Sequence, residues 1–239
     1  MSIKKSALRY FFKIIGKANV ERLRKKISFV YAIIENFNYD ASTNGEHWLL
    51  LNLIAGRCSA YMDVGANVGE YSIFIAKNSR HIDNLSIISV EPSPYTFDLL
   101  MSNVEPFDSI KPFNLALSDA NGAKVFYEYD DGSGRNTLEG ETTGIKYKKS
   151  YNLEVKTAHD FLMENQITPR FDLVKIDVEG HELPVLKGAT ETIKKHKPTI
   201  AIEIHDFSED SEIHQYLKSL GYGDPEPRPE DMFIYKSFA

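Results

Sequence analysis

The chain between Lys175 and Glu182 concentrates side chains that can exchange protons or bind ions. Lys175 and Asp177 lie two residues apart in an apolar run, so they share one face of a predicted strand. The set of such residues around this strand and the next one comprises Lys175, Asp177, Glu179, His181, Glu182, Glu203 and His205. Carboxylates and imidazoles in such a group can act as a general base or bind a hard cation.

Each of these residues also has a structural interpretation when it is considered alone. Lys175 could pair with a carboxylate inside the protein, Glu182 could cap a helix, and His181 could lie on a helix surface. Their grouping at one strand end favours a functional site. The candidate catalytic residues are Asp177, His181, Glu179, Lys175 and His205, and the base among them is left open. The alternative is a metal site built from Asp177, Glu203 and a histidine.

The segments that must position these side chains alternate between apolar strands and amphipathic helices. We predict strands at residues 60–64, 85–90, 110–117, 171–177, 199–204 and 232–235, with helices between most of them. This alternation predicts an α/β fold with a mostly parallel central sheet and helices on both faces. Ligands of such sheets bind beyond the carboxyl ends of the strands.

A glycine-containing turn that begins at Asp63 follows the first predicted strand. Its two glycines, Gly65 and Gly69, are spaced differently from those of a dinucleotide site, and the Gly-Lys-Ser/Thr of a P-loop is missing. A ligand that has an amino-acid tail and no phosphate fits this turn better. We expect Asp63 to bind its ammonium, directly or through water, and amides near Gly65 and Asn67 to meet its carboxylate. Glu91, at the end of the second strand, is placed to hold two ribose hydroxyls.

Motifs in consistent order resemble those of the FkbM-type methyltransferases. They are residues 63–72 (DVGANVGEYS), 91–94 (EPSP), 114–119 (NLALSD), 175–182 (KIDVEGHE), 185–189 (VLKGA), 197–198 (KP) and 202–203 (IE). The resemblance implies a Rossmann-like class I methyltransferase fold with an antiparallel last strand, and S-adenosylmethionine as methyl donor. It also implies O-methylation of a hydroxyl on a sugar, nucleotide-sugar or glycan. A lipid or natural-product hydroxyl, an amine, and a non-catalytic cofactor-binding scaffold are the alternatives.

The resemblance also implies roles for individual residues. The cofactor site would comprise Asp63, Gly65, Asn67, Gly69, Tyr71, Glu91, Pro92, Ser118 and Asp177. Glu91 would hold the ribose, and Ser118 would lie beside the adenine. Transfer of a methyl group to a hydroxyl needs in-line placement and either a base or a metal that acidifies the hydroxyl. A divalent metal is compatible with these carboxylates but is not indicated.

The strand–helix alternation pauses over an insertion at about residues 122–156. Two segments within it, 124–129 and 151–155, alternate like the strands of an antiparallel hairpin. The loop of residues 130–150 that joins them is long for a compact domain, so we interpret it as an acceptor lid. Its candidate substrate-binding residues are Arg135 and Asn136, together with Glu182 and Glu203 from the strand ends. A surface hairpin tip without such a role is the alternative.

Composition and charge limit the remaining functions. The length of 239 residues suits one α/β domain at 58–239 with a helical N-terminal extension at 1–57. The net charge of −6 does not indicate nucleic-acid binding, and the single cysteine excludes an internal disulfide. These features favour a cytoplasmic protein. Residues 1–26 nevertheless carry a charge of +8 and predict a basic amphipathic helix. We expect its apolar face to pack on the domain or on a second subunit. The alternative is that the helix docks on anionic lipid at the inner membrane face.

Overall fold

A computed structural model of the protein describes residues 59–129, 136–140, 147–168, 170–205, 207–228 and 231–237. The predicted N-terminal extension, its basic helix and Arg135 lie outside the described residues. The boundary predicted at residues 57 and 58 therefore stays a prediction. Within the described parts of the chain, no helix has the length and apolar character that crossing a bilayer requires.

The described residues form ten strands in two sheets. In chain order they are β1 Ala60–Val64, β2 Ser86–Val90, β3 Ile110–Phe113, β4 Ala116–Leu117, β5 Gly122–Glu128, β6 Lys149–Lys156, β7 Leu173–Ile176, β8 Thr199–Glu203, β9 Glu226–Pro227 and β10 Met232–Tyr235. The central sheet has the order β3-β2-β1-β7-β8-β10-β9. Its first five strands are parallel, and β10 is antiparallel to β8. The mostly parallel sheet with an antiparallel last strand is confirmed.

Six helices are described, and they cover both faces of the central sheet. They are α1 Glu70–Asn78, α2 Pro94–Val104, α3 Ala158–Glu164, α4 Glu182–Gly188, α5 Thr190–His196 and α6 Glu212–Ser219. Successive side chains of β1 point to opposite faces, so Tyr61 packs with α1 and α2 while Met62 packs with the other helices. As predicted, α2 begins at Ser93, whose hydroxyl accepts a hydrogen bond from the Thr96 amide.

Strands β5 and β6 of the inserted segment join β4 in a second, three-stranded sheet, the inserted sheet, with the order β4-β6-β5. Its antiparallel β5–β6 pair confirms the predicted hairpin. The single strand predicted at residues 110–117 is wrong, because the chain turns at Asn114 and divides it between the two sheets. The Asn114 amide group donates to the carbonyl oxygens of Glu91 and Pro92 at 2.8 and 3.0 Å. These side-chain hydrogen bonds replace the pairing that a continuous strand would make.

Parallel pairing brings the functional residues to one edge of the sheet. Val64 of β1 is in register with Val90 of β2 on one side and with Ile176 of β7 on the other. The residues that follow these three strands therefore share the carboxyl edge. This edge is where ligands bind in α/β sheets.

Candidate active site

The turn after β1 is in direct contact with the end of β7. Gly65 has φ +82°, and a Cβ placed on it would lie 1.7 Å from the carbonyl oxygen of Asp177. Gly69 has φ +89°, and its Cβ would lie 2.6 Å from Cδ1 of Leu100. The positive φ favours glycine at both positions, and at position 65 the Asp177 carbonyl oxygen also leaves no space for a Cβ.

Asp63 lies beneath this turn and is fully buried. Its Oδ2 accepts a hydrogen bond from the Ser72 hydroxyl at 2.6 Å, and Ser72 in turn contacts the Ser89 hydroxyl at 2.7 Å. Burial raises the pKa of Asp63, although the Lys175 ammonium, 4.0 Å from Oδ1, opposes the shift. The carboxyl group therefore fastens α1 to β1 and β2, and binding of a ligand ammonium by Asp63 stays a prediction. Sequence patterns offered no signal for Ser72 or Ser89.

Glu91 joins the turn after β1 to the turn after β2. Its Oε2 accepts a hydrogen bond from the Asn67 amide and its Oε1 accepts one from the Ser93 amide, both at 2.9 Å. Burial raises the pKa of Glu91 to about 7, against the lowering effect of these two hydrogen bonds. Each carboxylate oxygen keeps a second lone pair that a hydroxyl can use. Pro92, predicted to line the cofactor site, is half-buried between Glu91 and Ser93.

The backbone amides predicted to meet a ligand carboxylate already have acceptors within the protein. The amides of Gly65 and Ala66 both donate to the Val90 carbonyl oxygen at 3.0 Å. The Asn67 amide is bound to Glu91, as described above. The Asn67 side-chain Oδ1, by contrast, is buried without a hydrogen-bond partner among the described residues. The turn thus presents a polar atom of Asn67 that a ligand donor can satisfy.

Lys175, Asp177 and Glu203 form a charged group at the ends of β7 and β8. The Lys175 ammonium lies 2.9 Å from Oδ2 of Asp177 and 5.4 Å from the centre of the Tyr71 ring. Burial disfavours the charge on Asp177, but Lys175 and a hydrogen bond from Glu203 together lower the pKa of its carboxyl group. Burial, followed by the charge on Asp177, raises the pKa of Glu203. The two shifts have opposite directions, which favours the ionised form of Asp177 and the protonated form of Glu203.

Glu179 and His205 lie at the outer side of this group. His205 is 57% exposed, and its Nε2 lies 3.8 Å from Glu203 and 3.9 Å from Glu179. Carboxylate oxygens of Asp177, Glu179 and Glu203 lie within 4.8 Å of one another. Oxygen ligands of this type suit a hard divalent cation. The structure therefore brings together the predicted base candidates Asp177, Glu179 and His205.

His181 is placed differently from the other base candidates. It is 2% exposed, and its Nε2 lies 2.9 Å from the Ser118 hydroxyl. Its Nδ1 is hydrogen-bonded to the carboxylate of Glu139. Burial lowers the pKa of His181, so the ring is neutral at neutral pH. Because both nitrogens have hydrogen-bond partners inside the protein, a role for His181 as the base stays a prediction.

The remaining predicted residues hold local structure. Glu182 accepts hydrogen bonds from the amides of Val178 and Gly180 at 3.2 and 3.1 Å, which hold the turn before α4. Asn136 accepts one from the Tyr129 amide at 3.0 Å. Substrate contacts by Glu182, Asn136 and Glu203 stay predictions.

Residues outside the predicted set also shape the site. A Cβ on Gly188 of α4 would lie 1.8 Å from the Ser118 carbonyl oxygen, so only glycine allows this contact. Gly188 lies within one of the quoted motifs, yet the sequence offers no reason for it. Glu139 and Glu128 were also missed, because their partners are distant in the chain.

Comparisons with known proteins agree with this geometry. A family model described as "Methyltransferase FkbM domain" matches residues 63–223. Hexuronic acid methyltransferase AglP of Haloferax volcanii is 29% identical over 157 residues, which cover 65% of this chain and 59% of that protein. Methyltransferase sdnD of Sordaria araneosa is 28% identical over 187 residues, 66% of this chain and 70% of that protein. The match to AglP thus spans about three fifths of that relative's length.

Solved structures show the same fold at low sequence identity. Methyltransferase FkbM from Methylobacillus flagellatus superposes with a TM-score of 0.55 at 18% identity, covering 75% of this chain and 44% of that one. A putative caffeoyl-CoA O-methyltransferase from Staphylococcus aureus has a TM-score of 0.52 at 11% identity and covers 99% of this chain and 100% of that one. These likenesses establish the Rossmann-like class I architecture.

Proposed function

The chain belongs to the FkbM methyltransferase domain family, and on that premise we propose that it transfers a methyl group from S-adenosylmethionine to a sugar, nucleotide-sugar or glycan hydroxyl. The observation that carries the proposal is the shared carboxyl edge of three adjacent strands. The Gly65 turn follows β1, Glu91 follows β2 and Asp177 follows β7. The name of the relative AglP, a hexuronic acid methyltransferase, supports a sugar acceptor.

The residues at this edge fit S-adenosylmethionine. The turn after β1 has room only for glycine at position 65, and the buried Oδ1 of Asn67 has no partner among the described residues. This turn would hold the amino-acid part, and the Glu91 carboxylate would hold the ribose. Bound there, the cofactor supplies a methyl group made electrophilic by its positive sulfur.

Asp177 is proposed as the residue that receives the acceptor's proton. It is ionised, its side chain is 28% exposed, and it lies at the strand end beside the glycine turn. Lys175 and the Glu203 hydrogen bond hold its oxygens in a fixed orientation, which places the acceptor hydroxyl for in-line attack. His205 lies at the exposed side of Glu203, with its Nε2 3.8 Å from the Glu203 carboxyl group.

Binding of S-adenosylhomocysteine is expected to depend on the ionisation of Glu91. Its raised pKa of about 7 means that the carboxyl group gains a proton as the pH falls through 7, and a protonated group accepts ribose hydroxyls less well. Affinity measured by calorimetry should therefore fall about 10-fold between pH 8 and pH 6. Glu91→Gln should bind more weakly at pH 8 and lose this pH dependence. The absence of binding by the wild type at millimolar ligand would remove the cofactor from the proposal.

Methyl transfer is expected to reach a sugar hydroxyl without an added metal. Purified protein with methyl-labelled S-adenosylmethionine is incubated with uronic acids, nucleotide-sugars, glycans, lipids and amines, with and without EDTA. We expect label on the sugar class and equal transfer in EDTA, because the Lys175 ammonium, 2.9 Å from Asp177, already offsets the repulsion among the carboxylates. Label on lipids or amines alone would contradict the acceptor class. Loss of transfer in EDTA that Mg²⁺ restores would contradict the metal-free mechanism.

A further inference from the structure

His181 connects two parts of the protein that are separate in the chain. On its Nε2 side, the Ser118 hydroxyl lies 2.9 Å away, at the end of β4 in the inserted sheet. On its Nδ1 side is the carboxylate of Glu139, 42 residues earlier in the sequence. A carboxylate can only accept a hydrogen bond, so the Nδ1 proton is donated to Glu139, and this bond holds the ring with Nε2 facing Ser118.

Backbone contacts hold Ser118 at the end of β4. Its amide donates to the Lys156 carbonyl oxygen at 2.9 Å, and its own carbonyl oxygen lies against the backbone of Gly188. Its hydroxyl also lies 3.0 Å from Asp119. A nucleoside whose ribose binds Glu91 at the end of β2 extends its base toward β3 or toward β7. Residues 114–118 follow β3, and the resemblance to the methyltransferase family implies that Ser118 lies beside the base.

Glu139 belongs to a short segment, Asn136–Gly140, that lies against the acceptor side of the site. Thr137 exchanges backbone hydrogen bonds of 2.9 and 3.1 Å with Tyr127 of β5. Its hydroxyl donates to the Glu179 carbonyl oxygen at 2.7 Å and accepts from the Glu139 amide at 3.1 Å. The segment is thus bonded to the inserted sheet on one side and to the turn after β7 on the other.

A buried contact on the ribose side fastens the inserted sheet a second time. Glu128 of β5 is buried and accepts hydrogen bonds from the Ser93 hydroxyl at 2.7 Å and the Tyr151 hydroxyl at 2.9 Å. Ser93 is the residue whose amide binds Glu91. The inserted sheet therefore contacts the site at the ribose side and at Ser118.

We infer that Glu139 and His181 are positioning residues that couple the base-binding side of the cofactor pocket at Ser118 to the segment Asn136–Gly140 at the acceptor crevice. Binding of the nucleoside at Ser118 fixes the imidazole, and the imidazole fixes Glu139 and its segment beside Glu179. The cofactor thereby orders the acceptor side, and the acceptor binds better after it. This inference rests on the proposed function for the cofactor and adds the order in which the two ligands bind.

The test combines calorimetry with S-adenosylhomocysteine and hydrogen exchange on the full chain. Glu139→Ala is expected to weaken binding about 3- to 10-fold, because a buried nitrogen of His181 loses its charged acceptor. Glu139→Gln, which keeps an acceptor oxygen, should restore affinity to within about 2-fold of the wild type. Glu154→Ala is the matched control, since Glu154 is an exposed acid on the same inserted sheet. It should bind as the wild type does.

Hydrogen exchange reports the coupling directly. Addition of S-adenosylhomocysteine should slow hydrogen exchange at the amides of Thr137 and Tyr127 in the wild type. It should not slow this exchange in Glu139→Ala. It should also not slow it in Thr137→Val, which lacks the hydroxyl that donates to the Glu179 carbonyl oxygen. The coupling would be overturned if the wild type and Glu139→Ala bound the ligand equally well. It would also be overturned if the ligand left hydrogen exchange in residues 136–140 of the wild type unchanged. Either result would leave the cofactor assignment in place. A wild-type protein that bound no S-adenosylhomocysteine would overturn both the coupling and the cofactor assignment.

Discussion

Gly65→Ala is expected to abolish binding of S-adenosylhomocysteine at millimolar concentration and to destabilise the protein. The added methyl group would lie 1.7 Å from the Asp177 carbonyl oxygen, so the turn after β1 must move away from the end of β7. The cost combines backbone strain at φ +82° with overpacking, together about 2–5 kcal/mol. Because the same turn adjoins Asn67 and Asp177, this movement separates the cofactor side of the site from its base. Calorimetry and thermal unfolding measure the two effects.

Gly221→Ala is the matched control for this substitution. Gly221 has φ +86°, close to that of Gly65, but its Cβ would meet only the end of the flexible Lys197 side chain, at 3.4 Å. This variant should be destabilised by the backbone strain alone, by about 1–2 kcal/mol, and should still bind the ligand. A Gly65→Ala variant that binds the ligand as well as Gly221→Ala would show that the close contact between β1 and β7 does not shape the site.

Asp177→Asn is expected to lower kcat by a factor of about 10² to 10⁴, the usual contribution of a general base. The amide nitrogen cannot take the acceptor's proton, and the Lys175 ammonium loses its charged partner at 2.9 Å. The affinity for S-adenosylhomocysteine should change by less than about 3-fold, because Asp177 acts on the acceptor. Single-turnover transfer of the labelled methyl group, with calorimetry on the same preparation, separates the two quantities.

His205→Gln serves as the comparison for the base assignment. His205 is exposed and reaches Asp177 only through Glu203, so its replacement should reduce kcat less than Asp177→Asn does. Thermal unfolding of both variants shows whether a loss of folding contributes. A larger loss in His205→Gln, with Asp177→Asn near wild-type activity, would transfer the role of base to the histidine.

Local sequence patterns predicted most of the central sheet. The strands at Ala60–Val64 and Met232–Tyr235 have the bounds that the sequence indicated, since each is a short apolar run ended by turn residues. The helix start at Ser93 followed from its capping hydroxyl and the proline after it. These features depend on neighbours in the chain, so they can be read without the tertiary structure.

The sequence-based predictions that were wrong or missing concern contacts between residues that are distant in the chain. The apolar pattern of residues 110–117 continues through Asn114, and only the carbonyl groups of Glu91 and Pro92 explain why the strand ends there. The bonds of His181 to Ser118 and Glu139 span 63 and 42 residues. No periodicity or spacing rule connects positions this far apart.

The sequence by itself determined the family, the parallel sheet and the edge where the chemistry is placed, because motif order and strand alternation are local properties. The tertiary structure decided how the titratable residues divide their roles. Burial and partners lower the pKa of Asp177 and raise that of Glu203, and they enclose His181 while His205 stays exposed. Ionisation depends on desolvation and on charges within a few ångströms, and these are set by the packing of strands far apart in the chain.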